Sequence, residues 1–316
     1  MTTTPSIRPG SALGSPARPS SVTSDTAFTR GRTLGILARR YVVGPGLVDA
    51  LAATQDFHDV GIACTVGHFA PVATQEATAV ATTAKYLALA TGLERAPATT
   101  WMEVDLSHVG LGVSPRFCQR QLRQVADRLP PGAQLQAGAE DSGRTDAVLE
   151  VVLGARRAGL PIRCTVQANL RRSPADVSRL LAAGVPIRLV MGGFPEPPAL
   201  AWPRGRDTEA AFLRLAGQIH RAGGELAVAT HDELLHEWAR DQRPSPGVEM
   251  LLGVRPDLAA GLARRGHLRL YLPYGDGGDD YVAKRLVDTA AASRRPARHV
   301  TPESGTPGKV HCHDRS

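Results

Sequence analysis

The feature of this sequence that most constrains its fold is a regular alternation of short β-branched runs with longer Ala- and Leu-rich stretches of helical spacing. Eight strand-like runs follow one another: 60–66, 99–106, 133–138, 162–168, 186–192, 225–230, 248–253 and 268–273. This alternation predicts a parallel sheet, because parallel neighbours need a crossover connection and a helix supplies it.

Eight strand–helix units within about 240 residues favour a closed (β/α)8 barrel of the TIM type over an open doubly wound sheet. An open sheet of that kind would show a glycine-rich fingerprint after its first strand, and none follows VGIACTV. Helix ends are marked by Gly92 and Gly184, and Ser173 before Pro174 is predicted to cap a helix N-terminus.

Composition along the chain predicts four regions. Residues 1–28 are rich in Ser, Thr, Pro and Gly and have no apolar signal-peptide core, so we expect a disordered leader. Residues 29–58 are expected to form an N-terminal helical segment, packed outside the barrel or acting as a lid. Residues 59–293 form the predicted barrel, and 294–316 a disordered basic tail.

The formal net charge of +7 arises largely from arginines and lysines near the two ends of the chain. Because no basic stripe is interleaved with aromatic residues, we expect no nucleic-acid partner. No run reaches the roughly 18 apolar residues that a membrane helix needs, so no transmembrane segment is expected.

The cysteines are Cys64, Cys118, Cys164 and Cys312. They lie in separate segments without a CxxC pair, which predicts reduced thiols and a cytoplasmic setting. His311, Cys312 and His313 could bind a metal ion, but a tail offers no surrounding groups to fix them, so we expect no functional metal site.

Candidate functional residues are those at the carboxyl ends of the strands, where the active sites of such barrels lie. Arg188 interrupts an apolar strand and must be paired or face a ligand, since an unpaired buried guanidinium is costly. An internal salt bridge, for example to Glu140, would satisfy it without any ligand. Gly192 and Gly193 could expose backbone amides to an anion or a flat ligand, or could simply form a turn.

A second group of candidates follows the sixth strand. Thr230 and His231 lie at its end, and Asp232 begins the next helix. The free amides of that helix N-terminus could hold a phosphate, or Thr230 or Asp232 could cap them.

A third group lies on the last predicted helix. Tyr281, Lys284 and Arg285 share one helical face and could clamp a carboxylate, or form a solvated basic face.

Together these motifs resemble the flavin-dependent proline dehydrogenases, from about Tyr41 to Arg285. RLVMGGF, VQANL, VATHDELL and the YLPYG strand with its following helix are similar to motifs of that family, in the same order. The resemblance implies a distorted (β/α)8 barrel that binds FAD and oxidises the C–N bond of proline or a related amino acid to an imine. It also implies a second electron acceptor, a quinone or another carrier, and with it a cytoplasmic or peripheral membrane location.

The resemblance assigns roles to individual residues. Arg188 matches the catalytic arginine near the flavin N5. The implied cofactor-binding set is Ala139, Gln167, Arg188, Val190, Met191, Gly192, Gly193, Thr230, His231 and Glu249. The implied substrate-binding set is Asp105, Tyr274, Tyr281, Lys284 and Arg285.

Several positions depart from the family pattern. Asp105 replaces a substrate-side lysine, Gly138 an aspartate, Met191 a phosphate-facing lysine and Lys284 the first clamp arginine. Because Asp105 could pair with an extra cationic nitrogen, the substrate could instead be another amine or a hydrazine-type compound. A non-catalytic diverged barrel and a barrel enzyme acting on a phosphate-bearing substrate are two further hypotheses. Because Met191 stands where the family has a positively charged lysine, weaker FAD retention is expected.

Overall fold

The computed structural model describes residues 38–266, 268–276 and 278–293. Eight parallel strands close into a barrel in sequence order. They are β1 Ala63–His68, β2 Trp101–Val104, β3 Leu135–Ala137, β4 Ile162–Gln167, β5 Ile187–Val190, β6 Leu226–Ala229, β7 Gly247–Leu251 and β8 Leu268–Tyr274. Each predicted strand is present and every neighbouring pair is parallel, so the predicted TIM-type barrel is confirmed.

Helices surround this barrel, and all but the last of them contribute buried apolar side chains to its core. They are α1 Leu47–Asp59, α2 Glu76–Gly92, α3 Pro115–Ala126, α4 Thr145–Arg157, α5 Ser173–Ala182, α6 Arg206–Arg221, α7 Glu233–Asp241, α8 Pro256–Ala263 and α9 Asp279–Ser293. In α3, Ser114 caps the N-terminus by accepting from the Phe117 amide at 3.2 Å, and Pro115 occupies the first turn. Phe117 and Leu122 are buried on the inner face of that helix.

The helix α5 begins one residue earlier than predicted. Arg172 is its N-cap and Ser173 is its first helical residue. The Ser173 hydroxyl instead donates to the Gln167 carbonyl at 2.5 Å, which ties the start of the helix to the end of β4. The predicted cap was wrong because the Ser173 hydroxyl lies inside the first turn, where it bonds the end of β4 and no amide of the helix.

The arrangement departs from a regular barrel at its last helix. The first helix, α1, packs against both β1 and β8 on the outside. The last helix, α9, contributes Tyr281 and Arg285 to the cavity at the strand ends, and Tyr41 before α1 bonds Thr289 at 3.0 Å. Because α9 borders this cavity, it can supply functional side chains that a purely external helix could not.

The opposite end of the barrel carries stacked side chains beside a smaller cavity of about 490 Å³. Trp101 lies between the guanidinium groups of Arg163, 4.5 Å from the ring centroid, and Arg269, 3.4 Å from it. Arg269 also donates to the carbonyls of Cys64 at 2.6 Å and Thr99 at 2.7 Å. The larger cavity lies at the carboxyl ends of the strands, which is the end that carries the active site in barrels of this kind.

Several predictions concern parts of the chain outside the described residues: the leader 1–28, the first part of the segment 29–58, the tail 294–316 and the metal-binding triplet 311–313. Within the described ranges, no helix combines the length and apolar character needed to cross a membrane. Cys64, Cys118 and Cys164 are free and buried, and burial raises the pKa of each thiol to about 12.

Candidate active site at the mouth of the barrel

A cavity of about 1020 Å³ opens at the carboxyl ends of the strands. Twelve of the predicted site residues line it: Asp105, Ala139, Arg188, Val190, Met191, Gly192, Gly193, Thr230, His231, Glu249, Tyr281 and Arg285. The remaining three, Gln167, Tyr274 and Lys284, contact lining residues instead. The barrel therefore gathers most of the predicted residues around one space, from five strands or the segments that follow them and from α9.

Arg188 is held across the barrel interior between two acidic side chains. Its Nη1 bonds Glu103 on β2, and its Nε lies 2.7 Å from Glu249 Oε2 on β7. All three side chains are at least four-fifths buried, with exposed fractions of 7%, 14% and 8% for Arg188, Glu103 and Glu249. The possibility of an internal salt bridge is thus realised, but with these two glutamates rather than Glu140.

This ion triad leaves two nitrogens of the Arg188 guanidinium, Nε and Nη2, without a hydrogen-bond partner among the described residues, although Nε lies within ion-pair distance of Glu249. Burial acts to lower the pKa of Arg188, but the two carboxylates outweigh it and hold that pKa above its ordinary value. Burial raises the pKa of Glu103, and Arg188 offsets part of that rise. Arg188 Nη2 is buried and has no hydrogen-bond partner among the described residues. A buried donor on a cavity-lining side chain is costly unless a ligand accepts from it.

The Gly192–Gly193 turn after β5 is fixed by side chains from β4 and the segment after it. Gln167 accepts from the Gly193 amide at 2.7 Å and donates to the Glu140 carbonyl at 2.9 Å. A Cβ at position 192 would lie 2.5 Å from the Asn169 Oδ1, and the backbone there has a φ of +153°. The turn therefore requires glycine at 192 in order to bring the backbone against Asn169.

Lys284 reaches from α9 to this turn. Its ammonium donates to the Gly193 carbonyl and lies 5.2 Å from the centroid of the Phe194 ring. Burial lowers the pKa of Lys284, with neighbouring Arg285 acting in the same direction. The lysine predicted to clamp a substrate carboxylate thus holds the last helix against the turn, while Arg285 lines the cavity beside Asp288, 2.8 Å away.

The N-terminus of α7, which follows β6, is capped by side chains of the segment that leads into it. Asp232 accepts from the Leu234 amide at 3.0 Å at the start of α7, and Thr230 accepts from the Asp232 amide at 3.2 Å. His231 accepts from the Leu251 amide at 3.1 Å through Nε2, so its proton is on Nδ1. Burial, with Arg285 nearby, lowers the pKa of His231 to about 4 and keeps the ring uncharged near neutral pH.

His108, which also lines the cavity, is a second histidine with a lowered pKa. Its Nδ1 lies 3.1 Å from the hydroxyl of buried Tyr86 and 3.8 Å from Asp105 Oδ2. Burial, with His68 adding to it, lowers the pKa of His108 to about 4. Two of the histidines that line the cavity, His108 and His231, are therefore neutral in the folded state, and burial lowers the pKa of the third, His68, as well.

We expect these two histidines to make the protein less stable as the pH falls from 6.5 towards 4. In that window the unfolded chain binds a proton at each position and the folded chain does not, so stability falls by up to roughly 1.4 kcal/mol per pH unit for each histidine. Urea unfolding at a series of pH values, comparing His231→Gln with the wild type, measures the contribution.

The variant should show a shallower loss of stability on acidification. Exposed His58 provides the control, because His58→Gln should leave the slope unchanged. Parallel curves for the wild type and His231→Gln would contradict the assignment. The comparison with the wild type is needed because Glu103 and Asp105, whose pKa values are raised, act in the opposite direction.

Asp105 and Gly138 fit together sterically. A Cβ placed on Gly138 would lie 1.9 Å from Asp105 Oδ1 and 3.1 Å from Asp105 Cγ. Because residue 138 is a glycine, the Asp105 carboxyl group can extend into the space that a side chain at 138 would fill. The two departures from the family pattern at these positions are therefore coupled by geometry.

Glu103 and Arg204 are among the cavity residues that sequence reasoning missed. Glu103 is two positions before Asp105, and alternate residues of a strand share a face, so this spacing was a signal that both acids point into the barrel. Arg204 lines the cavity from the segment before α6, close enough to Lys284 to affect its pKa. No local pattern marked Arg204, because its position depends on the path of the long connection after β5.

Comparisons with known proteins agree with this architecture. No protein-family model matches the chain. Proline dehydrogenase 1 of Bacillus subtilis is 24% identical over 275 residues, covering 84% of this chain and 91% of its own. Proline dehydrogenase of Deinococcus radiodurans is 28% identical over 271 residues, covering 80% and 86%.

A solved structure with the same fold is proline utilization A (PutA) from Bdellovibrio bacteriovorus inactivated by N-propargylglycine. The TM-score is 0.72 at 18% sequence identity, and the match covers 83% of this chain and 34% of that one. The chain therefore corresponds to about a third of that larger protein, and the likeness concerns the fold.

The closed barrel and a cavity at its carboxyl-end face, with charged side chains in a mainly apolar lining, define a (β/α)8-barrel protein whose candidate site lies at the strand ends. Within that class, the matches to curated relatives over most of the chain, at 24% and 28% identity, support a divergent member of the proline dehydrogenase family.

Proposed function

We propose that the protein is an FAD-dependent oxidoreductase that oxidises the C–N bond of proline or a related amino acid to an imine. The observation that carries the proposal is Arg188, a buried arginine that lines the cavity with Nη2 unpartnered in the described structure. Family membership supplies the reaction class, because the relatives that match most of the chain bear the name proline dehydrogenase.

The residues present fit a flavin cofactor. The Gly192–Gly193 turn presents backbone beside the cavity, and its glycine at 192 leaves no Cβ between the chain and Asn169. The Asn169 Oδ1 and the Arg188 Nη2 are both buried polar atoms without partners among the described residues. Donors and acceptors of this kind suit the polar edge of a planar heterocycle, as the predicted cofactor set requires.

Positive charge near the turn also supports the proposal despite Met191. Lys284 lies against the Gly193 carbonyl, and Arg204 lines the same part of the cavity. In our proposal Arg204 takes over the contact with the cofactor phosphates from the family lysine, because the Gly193 amide already donates to Gln167. FAD, when bound, would supply the two-electron acceptor for a hydride.

The protein's own groups have distinct tasks in this proposal. Arg285 binds the substrate carboxylate from α9. His231 stays neutral and offers Nδ1–H as a hydrogen-bond donor to the cofactor. Lys284 keeps α9 against the Gly193 turn, which limits water access to the reacting atoms. A second carrier, a quinone or another compound, then takes up the electrons.

The test is to reconstitute the purified full chain with FAD, remove free flavin by desalting and measure the retained absorbance. Anaerobic addition of proline, and of related cyclic and open-chain amino acids, should bleach the flavin. Arg285→Met should raise the substrate KM strongly, whereas Lys284→Met should chiefly weaken FAD retention. Absence of retained flavin at saturating FAD would favour the non-catalytic barrel.

A further inference from the structure

Asp105 is a cavity-lining carboxyl group without a cationic partner in the described part of the chain. Its side chain is 37% exposed, and its nearest ion-pairing atom is His108 Nδ1 at 3.8 Å. His108 is neutral in the folded state, because burial lowers its pKa to about 4. No lysine or arginine among the described residues forms an ion pair with Asp105.

The surroundings of Asp105 are negative. Glu103 and Glu140 lie close enough to raise its pKa well above the ordinary value, in addition to the larger effect of burial. Arg188 opposes this rise but is already paired with Glu103 and Glu249. Glu140 is buried and takes its own partners from the Ser107 amide at 2.9 Å and Arg144 at 3.3 Å.

The space beside the Asp105 carboxyl group is set by the backbone that follows β3. The Gly138 amide donates to the Val104 carbonyl at 3.1 Å, which holds residue 138 beside the end of β2. Any side chain at 138 would collide with Asp105, since even a Cβ would come within 1.9 Å of its Oδ1. The site therefore combines a carboxyl group with the space that it requires.

We infer that Asp105 is a specificity-determining residue that selects an amino-acid substrate carrying a second, protonated nitrogen in addition to its α-amino nitrogen. This inference rests on the proposed function for the substrate being an amino acid. The physical reason is charge balance: a carboxylate among other carboxylates is costly in a cavity, and a ligand cation restores the balance. A neutral amino acid such as proline offers no second cation for this role.

The inference is tested with two ligands that differ in one group, 4-aminoproline and 4-methylproline, each in both diastereomers. Isothermal titration calorimetry on the full chain, with and without FAD, gives the two dissociation constants. We expect the wild type to bind a 4-aminoproline diastereomer about 10-fold more tightly than its methyl counterpart. This is the ratio of dissociation constants that one hydrogen bond to a charged group of modest strength would produce.

The variants assign that preference to Asp105. Asp105→Asn keeps the shape and removes the charge, so the ratio should fall to about 1. Asp276→Asn removes a carboxylate elsewhere in the same cavity and should retain the preference. Asp105→Lys combined with Gly138→Asp should abolish it, because the two side chains would pair with each other and offer no free carboxylate to the ligand.

A wild-type ratio near unity for both diastereomers, or an unchanged ratio in Asp105→Asn, would overturn the inference. Loss of the preference in Asp276→Asn as well would overturn it too, since the effect would then belong to the net charge of the cavity. Flavin bleaching by proline without any preference for the amino compound would leave the proposed function intact and exclude only this inference. A preference without flavin retention would support Asp105 as the selecting group and contradict the proposed reaction.

Discussion

Arg188→Met is expected to destabilise the protein by about 3–5 kcal/mol, the cost of leaving buried charges without their partner. Glu103 and Glu249 flank the guanidinium from β2 and β7, and both are largely buried. Without Arg188 each carboxylate must be protonated or rehydrated inside the barrel. Urea unfolding near neutral pH measures the loss.

A triple variant separates stability from function at this site. Combining Arg188→Met with Glu103→Gln and Glu249→Gln removes all three charges together, and stability should largely recover. Flavin reduction by substrate should not recover, because the donor proposed to face the cofactor is still missing. Arg188→Lys keeps the charge but not the planar fork, so we expect intermediate stability.

Two results would contradict this account. If Arg188→Met unfolded at the wild-type urea concentration, the triad would not bear on stability. If the triple variant reduced flavin at the wild-type rate, Arg188 would have no part in the reaction.

Gly192→Ala is expected to loosen the cofactor turn and to lower stability by about 1–3 kcal/mol. The added Cβ would lie 2.5 Å from the Asn169 Oδ1, on a backbone with a φ of +153°. Asn169 must then move, and the hydrogen bond from its backbone amide to the Met191 carbonyl, now 3.0 Å, would be strained. Thermal melting and retention of FAD after desalting measure the two effects.

The neighbouring glycine provides a matched control. A Cβ at Gly193 would lie 3.5 Å from Gln167 Oε1, an ordinary contact distance. Gly193→Ala should therefore melt within a few degrees of the wild type, while Gly192→Ala melts lower. The double variant Gly192→Ala with Asn169→Ala should recover part of the loss, and no recovery would show that the backbone conformation alone sets the penalty.

The barrel itself could be predicted from the sequence because its signals are local and repeated. Each strand is a short β-branched run and each helix has its own cap, glycine end or apolar face, so eight independent patterns point to one closed topology. Strand-end polar residues such as Thr230 and His231 could be predicted for the same reason, since parallel strands bring their carboxyl ends to one face.

The partners of those residues could not be predicted in this way. Arg188 was recognised as needing a partner, yet Glu103 and Glu249 come from strands 85 residues before it and 61 after it, as the difference in numbering shows. Which inward-facing acids meet it depends on the stagger of a closed barrel, and that is a property of the whole sheet.

The sequence by itself determined the fold class, the face that carries the candidate site and most of the residues around it. The spacing of apolar residues, the turn residues and the order of the strands can all be recognised from short stretches of the chain. Tertiary structure decided how those residues act on one another. Lys284, which the sequence predicts to bind a substrate carboxylate, bonds the Gly193 carbonyl, and Asp105 extends into the space that a side chain at Gly138 would fill. Both depend on contacts between distant segments, whose geometry only packing fixes.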